Sequence, residues 1–461
     1  MPERRDRRVT ALPRASRRIR TITAAALSIT LVATTLIGTV LTAAPAGAAT
    51  PPARDPFYRY AGKTPLAKIA PGTVLKSRTL PYHIVGVPLG LTATQLLYRS
   101  TSQLGKPTVN VTSVIKPGSG FTPDRAISYQ SFYDSLNPAD SPSYAIAGGV
   151  SPGGFISDFE LTVFGPLLAE GYSIIVPDTE GEHADFSAGP EYGMNTLDSI
   201  RAATRSPLTG LTRNTKVGML GYSGGAIGTN WAAALAPAYS PDVNRQLVGA
   251  AEGGVLVDPV HNLHYIDGSR VWAGVMVMSV IGLARSFHVD LRPYLNSKGI
   301  TLYDKLQNAS ITNVLGAYPG LTWASLAKPA YQRPEDIPVF VRIANRLNLG
   351  PVGTAGRPTV PMFIGQGANG VLEGTPGDKP GIGAGDGVMV AGDVRTLARD
   401  YCRAGVKVQY QQYDLTSHVT TVPLWLPAAI AWLNGRFSTQ PAPQNCSGIA
   451  PGNSLAPIPQ P

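Results

Sequence analysis

A serine flanked by glycines is the residue in this chain best placed to act as a nucleophile. Gly221-Tyr222-Ser223-Gly224-Gly225 fits the pattern G-x-S-x-G, which has little weight by itself in a chain with 50 glycines. The residues around this motif strengthen the assignment, because the sequence predicts a short buried strand at 216–220 and a helix at 226–234. A nucleophile elbow needs this strand-turn-helix setting, with small neighbours around the strained serine. Ser223 is the predicted nucleophile, and a serine in an ordinary turn is the alternative.

A general base for Ser223 is expected late in the chain, because partners of an elbow serine follow in the order acid and then histidine. Six histidines are present, namely His83, His183, His261, His264, His288 and His418. Only His418 lies beyond the strand predicted at 360–364, and it also follows the last predicted strand. It is therefore the predicted base, and a histidine in a surface loop is the alternative.

The acid that orients the histidine should lie between the last two predicted strands. The candidates are Glu373, Asp378, Asp386, Asp393 and Asp400. Asp393 fits a helix N-cap and Asp400 lies within that helix. Asp386 is the preferred acid, and Asp378 and Glu373 remain open.

Two other patterns suggest a cofactor or a metal and are set aside. Residues 365–370 fit G-x-G-x-x-G after a strand, but a loop rich in Gly and Pro follows instead of the helix that dinucleotide binding needs. His261 and His264 lack the glutamate of an H-E-x-x-H zinc motif. We expect neither a metal nor an organic cofactor.

The elements that must position these residues alternate along the chain. Apolar, β-branched runs predict strands at 109–115, 126–132, 144–147, 172–176, 217–220, 247–251, 360–364 and 406–413. Helices are predicted at 159–170, 226–235, 394–404 and 424–433. This alternation predicts an α/β class, with a mostly parallel sheet flanked by helices.

One long segment interrupts the alternation. From about 257 to 345 the chain carries apolar helical patterns, including 271–284 and 300–306, without a clear strand. We interpret it as a helical cap inserted into an α/β-hydrolase domain at 49–440; ordinary crossover helices are the alternative. Residues 441–461 are rich in Pro and are interpreted as a C-terminal tail.

The first 48 residues resemble a secretory signal peptide. Eight arginines precede an uncharged stretch at 21–41, and Ala46-Gly47-Ala48 fits a cleavage site. An uncleaved membrane anchor is the alternative. Without this segment the net charge falls from +10 to +4, and no basic block interleaved with aromatics remains to indicate nucleic-acid binding. We expect an extracellular protein, with association to the cell envelope left open.

Cys402 and Cys446 are the only two cysteines. In an exported protein such a pair favours a disulfide, which here would tie the tail to the body of the domain.

Several motifs resemble the secretory lipase family, the lipase-A-like hydrolases of actinobacteria and fungi. They are Ser128-Tyr129-Gln130-Ser131-Phe132-Tyr133-Asp134-Ser135, 221–226 and 413–418. The resemblance implies that Asp134 and Gly224 form the oxyanion hole. It also implies a helical lid and fatty-acyl ester substrates such as acylglycerols. Asp386-Gly387-Val388-Met389 resembles the family's acid pattern, but it follows an apparent insertion at 368–385.

These observations together predict a two-step acyl transfer through Ser223, His418 and Asp386. A lipid or ester is the expected substrate, and contact with lipid surfaces is a further expectation. The alternatives are an acyltransferase acting on envelope lipids, a non-catalytic envelope-binding protein that retains the fold, and a peptidase. Oligomeric state is left open.

Overall fold

The computed structural model of the protein describes residues 49–118, 124–161, 163–350 and 356–461. The predicted signal peptide lies outside the described residues. The described part of the chain contains nine strands, which form one sheet. In chain order they are β1 Val74–Ile84, β2 Val87–Thr101, β3 Pro107–Ile115, β4 Arg125–Gln130, β5 Ser173–Pro177, β6 Lys216–Tyr222, β7 Leu247–Gly253, β8 Met362–Gly367 and β9 Val408–Tyr413.

The strand order places the expected nucleophile near the middle of the sheet. The order is β1-β2-β3-β5-β4-β6-β7-β8-β9. The pairs from β1 to β5 are antiparallel, and those from β5 through β4 to β9 are parallel. All carboxyl ends of the parallel strands therefore meet at one edge, where ligands bind in sheets of this kind.

Within the described residues, thirteen α-helices surround the sheet or extend beyond it. They are α1 Pro142–Ile146, α2 Phe155–Leu161, α3 Phe164–Ala169, α4 Gly189–Arg205, α5 Gly224–Tyr239, α6 Pro241–Asn244, α7 Pro259–Ile266, α8 Ala273–Ser286, α9 Ser297–Lys305, α10 Ile311–Val314, α11 Pro338–Leu347, α12 Ala391–Arg403 and α13 His418–Phe437.

The parallel strands are apolar on both faces because helices cover both faces. Val217 and Met219 of β6 pack in the cluster that includes α4, α5 and α12. Leu220 of the same strand packs on the opposite face, with residues of α2, α3 and α13. The result is a sheet between two helical layers, as the α/β class predicted.

Helices α7 to α11 occupy residues 259–347, which cover nearly all of the segment predicted at about 257 to 345, and this part of the chain contributes no strand to the sheet. Its side chains form a third apolar cluster, which includes Met276, Val280 and Trp323. Leu136 and Phe186 join this cluster from loops of the sheet domain. The cap therefore has a core of its own and rests on the edge of the sheet that bears the expected nucleophile.

Two predicted elements were wrong. The strand predicted at 144–147 is helix α1, which has Pro142 at its first turn and Ser143 bonded to Asp178 through both its N–H and its hydroxyl. A short apolar run does not distinguish a strand from a buried helix. The helix predicted at 159–170 is instead the two helices α2 and α3. The long hairpin β1–β2 was not predicted, because β1 is mostly half-buried or exposed and lacks an apolar run.

The residues interpreted as a tail pack against the domain. Ile449 and Leu455 are each 3 % exposed, and Asn453 bonds through its carbonyl to Thr396 of α12. A disulfide joins Cys402 to Cys446 at the start of this segment. In the described part of the chain, every helix is too short or too polar to cross a membrane.

Candidate active site

Ser223 lies on the sharp turn between β6 and α5. Its φ of 54° and ψ of −122° are strained for a residue with a side chain, as an elbow requires. The flanking glycines are sterically required. A Cβ on Gly221 would lie 2.4 Å from the Gly225 carbonyl oxygen, and one on Gly225 would lie 2.0 Å from that of Gln130. The turn therefore exists because small residues stand on both sides of Ser223.

His418 begins helix α13, and its position is fixed by its surroundings. Ser417 caps the helix by accepting the Thr420 N–H. The backbone N–H of His418 donates to the Asp386 carbonyl at 2.7 Å, and the His418 carbonyl accepts from the Tyr222 hydroxyl at 2.7 Å. The ring places Nε2 2.7 Å from Ser223 Oγ. This distance suits proton transfer from the serine.

Asp386 completes the hydrogen-bonded chain on the other side of the imidazole. Its Oδ2 lies 2.7 Å from His418 Nδ1. The same oxygen accepts from Gln366 Nε2 at 2.9 Å, while Oδ1 accepts the Val388 and Met389 N–H groups at 3.0 and 2.7 Å. Four donors around a fully buried side chain compensate for the loss of water and suit a carboxylate. Asp386 is thus equipped to orient His418 and to favour its charged form.

The electrostatics of His418 follow from this arrangement. The ring is 4 % exposed, and burial alone opposes its protonation. The charge of Asp386 and its hydrogen bond outweigh that effect, so the pKa of His418 is raised above its usual 6.5. An imidazole of raised basicity is a stronger acceptor for the proton of Ser223.

The other two candidates for the acid do not bond to the His418 ring. Glu373 accepts from Val419 N at 2.9 Å and from Trp272 Nε1 at 2.7 Å. Asp378 is exposed. The apparent insertion at 368–385 forms a loop whose two ends lie close together. The Gly370 N–H donates to the Gly385 carbonyl at 2.8 Å. The insertion thereby brings Asp386 back to the end of β8.

Asp134 and Gly224, the expected oxyanion hole, lie side by side. A Cβ on Gly224 would fall 1.7 Å from Asp134 Oδ1, so the carboxyl lies directly against the residue after the nucleophile. Asp134 has a positive φ of 39°, and its carbonyl accepts the Ile311 N–H of the cap at 2.8 Å. Gly224 opens helix α5, where N–H groups have no acceptor within the helix. Both residues can thus present donors at one point beside Ser223.

A pocket extends from these groups under the cap. Its polar end is formed by Asp134, Ser223 and Gly224. Most of the rest is apolar and comes from the cap helices, including Met276 and Val280 of α8. Such a lining accommodates a hydrocarbon chain, with the reactive serine at one end.

The two histidines with metal-like spacing have different partners. His261 Nδ1 lies 2.9 Å from Asp393, and His264 Nε2 bonds to Glu335. Over the described residues, no three His, Cys, Asp or Glu side chains are grouped so as to hold a metal ion.

Some residues that build the site carried no signal in the sequence. Gln366 stands inside the G-x-G-x-x-G pattern, yet its side chain supports Asp386. Trp272 packs edge-on to the His418 ring at a centroid distance of 5.2 Å. Glu160 and Glu180 lie beneath the loop that carries Asp134. Long-range partners of this kind are set by the fold rather than by local pattern.

Sequence comparison finds related proteins that are named as lipases. The family model described as "Secretory lipase" matches residues 150–445. Lipase 4 of Candida albicans is 30 % identical over 409 residues, which span 87 % of this chain and 84 % of that protein. A Mycobacterium tuberculosis protein named "Probable inactive lipase MT1628" is 31 % identical, over 85 % of this chain and 83 % of its own.

Solved structures give a consistent result. Candida antarctica lipase A in its closed state superposes with a TM-score of 0.74 at 25 % identity, covering 90 % of this chain and 93 % of that chain. The rice cell wall degrading esterase LipA from Xanthomonas oryzae has a TM-score of 0.58 at 15 % identity, covering 81 % of this chain and 100 % of that chain. The second likeness concerns the fold alone.

Proposed function

The chain belongs to the secretory lipase family, and from that premise we propose that it is an exported lipase in which Ser223, His418 and Asp386 are the catalytic residues. Ester hydrolysis is the activity that the names of the family and of its Candida albicans relatives indicate. The observation that carries the residue assignment is the continuous chain of hydrogen bonds from Asp386 through His418 to Ser223, with both distances at 2.7 Å.

The reaction proceeds in two steps. His418 takes the proton of Ser223 as Oγ attacks the ester carbonyl, and the imidazolium that forms is stabilised by Asp386. The tetrahedral oxyanion develops beside Gly224 and Asp134, which donate hydrogen bonds to it. His418 then gives its proton to the leaving alcohol, and an acyl-enzyme on Ser223 remains. Water, activated by His418, attacks the acyl-enzyme and releases the fatty acid.

The pocket supports an acyl ester as the substrate. Its apolar walls bury a hydrocarbon chain at about 0.8 kcal/mol for each CH₂ removed from water. Met276 of α8 is flexible enough to fit chains of different shape. We therefore infer that the acyl chain lies under the cap and that acylglycerols are the substrate class.

Export rests on the sequence of residues 1–48, which we infer are removed as a signal peptide. The mature chain would then begin at Ala49. Mass determination of the protein recovered from culture medium tests this cleavage. A protein that retains residues 21–41 and stays in the membrane fraction would contradict it.

The function is tested by titrating the fatty acid released from tributyrin and from a long-chain triacylglycerol. Ser223→Ala should lose at least about a thousandfold in kcat while its thermal unfolding is unchanged. Ser240→Ala is a matched control, because Ser240 is a fully buried serine at the far end of the same helix. We expect Ser240→Ala to keep near-normal turnover.

The outcomes separate the alternatives. Fatty acid released into water from both substrates supports a lipase. Transfer to an added alcohol or glycolipid in preference to water would favour an acyltransferase. Failure of the folded wild-type chain to release fatty acid, as the name of the mycobacterial relative suggests for that protein, would contradict the proposal.

A further inference from the structure

Three buried carboxyl groups converge on the loop that follows β4. They belong to Asp134, Glu160 and Glu180, whose exposed fractions are 8 %, 1 % and 1 %. Only Asp134 reaches the pocket. The two glutamates lie beneath it, one on α2 and the other in the loop after β5. Three such groups cannot all be charged without a large electrostatic cost.

Glu160 has the contacts of a carboxylate. It accepts from the Tyr129 hydroxyl at 2.7 Å and from the Phe132 N–H at 3.0 Å, and the Ser131 hydroxyl also donates to it. Burial raises its pKa to about 7, and these three donors act in the opposite direction. All three donors belong to the end of β4 and the start of the loop. Glu160 therefore anchors the segment that leads to Asp134.

Glu180 supports the same loop from its other end. Its carboxyl accepts from the Ser135 N–H and from the Tyr192 hydroxyl, each at 3.0 Å. Its backbone N–H donates to the Tyr133 hydroxyl at 3.1 Å. The residues on both sides of Asp134 are thus tied to buried glutamates.

Asp134 has the opposite environment. In the described part of the chain no N–H or O–H donates to its side chain, whereas Asp386 in the same site accepts four hydrogen bonds. Burial raises the pKa of Asp134 to about 8, and the charge of Glu160 adds to the increase. His418, which faces Asp134 from α13, acts in the opposite direction. Glu180 and Tyr192 also face it, and ionisation of Asp134 would add a negative charge beside both.

The protonation state decides what Asp134 can do for the reaction. An ionised carboxylate only accepts hydrogen bonds, and beside Gly224 it would repel the oxyanion. A protonated carboxyl has an O–H to donate, and a buried neutral acid is an effective oxyanion donor. Two aspartates in one site would then have separate tasks because their surroundings differ.

Resting on the proposed function, we propose that Glu160 is a positioning residue that keeps Asp134 in its neutral acid form, so that Asp134 donates its O–H to the oxyanion. Glu160 also holds the Phe132 backbone, but that contact alone would affect turnover equally at every pH. The charge of Glu160 has a different consequence. It sets the pH at which Asp134 ionises and turnover declines.

The test is the pH dependence of kcat/KM for a soluble short-chain ester. The wild type should lose activity as the pH rises through about 8, where Asp134 ionises. Glu160→Gln keeps the shape of the side chain and removes its charge, so the alkaline limb should move to lower pH by about one unit.

Asp158→Asn is the matched control. Asp158 is a second buried carboxyl on α2, but it accepts the Val85 N–H at 2.8 Å on the side away from the loop. The alkaline limb of the kcat/KM profile of Asp158→Asn should lie at the same pH as that of the wild type. An unmoved limb in Glu160→Gln, or an equal shift in both variants, overturns the inference.

Asp134→Asn gives a second, independent measurement if Glu160→Gln does not fold. Asparagine tolerates the positive φ at this position and presents an N–H donor that does not titrate. We expect the alkaline limb to disappear in this variant, and persistence of the limb would overturn the inference. If the wild type hydrolyses esters but the variants do not show the expected pH profiles, only the inference about Glu160 is wrong. If the wild type has no ester turnover, the proposed function falls with it.

Discussion

Replacing Asp386 by asparagine perturbs the candidate site without a change of shape. Asp386 Oδ1 accepts two backbone N–H groups, at 3.0 and 2.7 Å, so the amide oxygen of the variant should take that place. The amide nitrogen must then face His418 Nδ1, where the native residue presents Oδ2. An N–H directed at Nδ1 selects the tautomer that carries its proton on Nε2. In that tautomer His418 cannot accept the proton of Ser223.

The magnitude follows from this change of tautomer. Loss of the base function in an otherwise intact triad costs about four orders of magnitude in kcat. At about 1.36 kcal/mol for each factor of ten, the barrier rises by about 5 kcal/mol. The amide nitrogen also faces Gln366 Nε2, which loses its acceptor, so a small decrease in thermal stability should accompany the loss of activity.

The assay compares Asp386→Asn with Glu373→Gln at saturating ester. Glu373 is the other carboxyl close to His418, but it bonds to Val419 N and Trp272 Nε1 instead of the imidazole. We expect Glu373→Gln to lose less than about tenfold. A large loss in Glu373→Gln together with near-normal turnover in Asp386→Asn would refute the assignment of the acid.

Three further predictions concern the turn, the disulfide and the base. Gly225→Ala places a Cβ 2.0 Å from the Gln130 carbonyl oxygen and should reduce activity more than about a hundredfold. Gly228→Ala, one turn later, has its nearest contact at 3.2 Å and should be tolerated. Equal activity of the two variants would contradict the steric explanation. Removing the Cys402–Cys446 disulfide, which closes a separation of 44 residues, should lower the free energy of unfolding by about 4 kcal/mol in urea titrations. An unchanged midpoint of urea unfolding would contradict a stabilising role of the disulfide. The acid limb of kcat/KM should have its midpoint above pH 6.5, because His418 must be neutral to act as base and its pKa is raised; a midpoint at or below 6.5 would contradict the geometry around Asp386.

Much of the fold and of the site could be predicted where the signal was local. The elbow around Ser223 was predicted from a short apolar strand, two glycines and a helix, all within about twenty residues. Chain order then selected His418, because it is the only one of the six histidines that follows the strand predicted at 360–364, which corresponds to β8. The structure brings both residues together with Asp386 as the sequence predicted, and their catalytic roles remain predictions.

The features that sequence reasoning missed depend on contacts between distant segments. Asp386 competed with Glu373 and Asp378, because the insertion at 368–385 hides how the chain returns to the sheet. The run at 144–147 has the apolar character of a strand, but Pro142 and the bonds of Ser143 to Asp178 favour helix α1. Glu160 looks like an ordinary helical glutamate until the fold buries it beneath Asp134.

The most direct test of the central claim is covalent labelling of the folded protein with a fluorophosphonate, followed by peptide mass analysis. The reagent reacts with a serine only where a base activates it and an oxyanion hole accepts the phosphoryl oxygen. One adduct per chain, located on Ser223 and absent from His418→Ala, is the predicted result. No adduct on the folded wild type, or an adduct on another serine, would contradict the account.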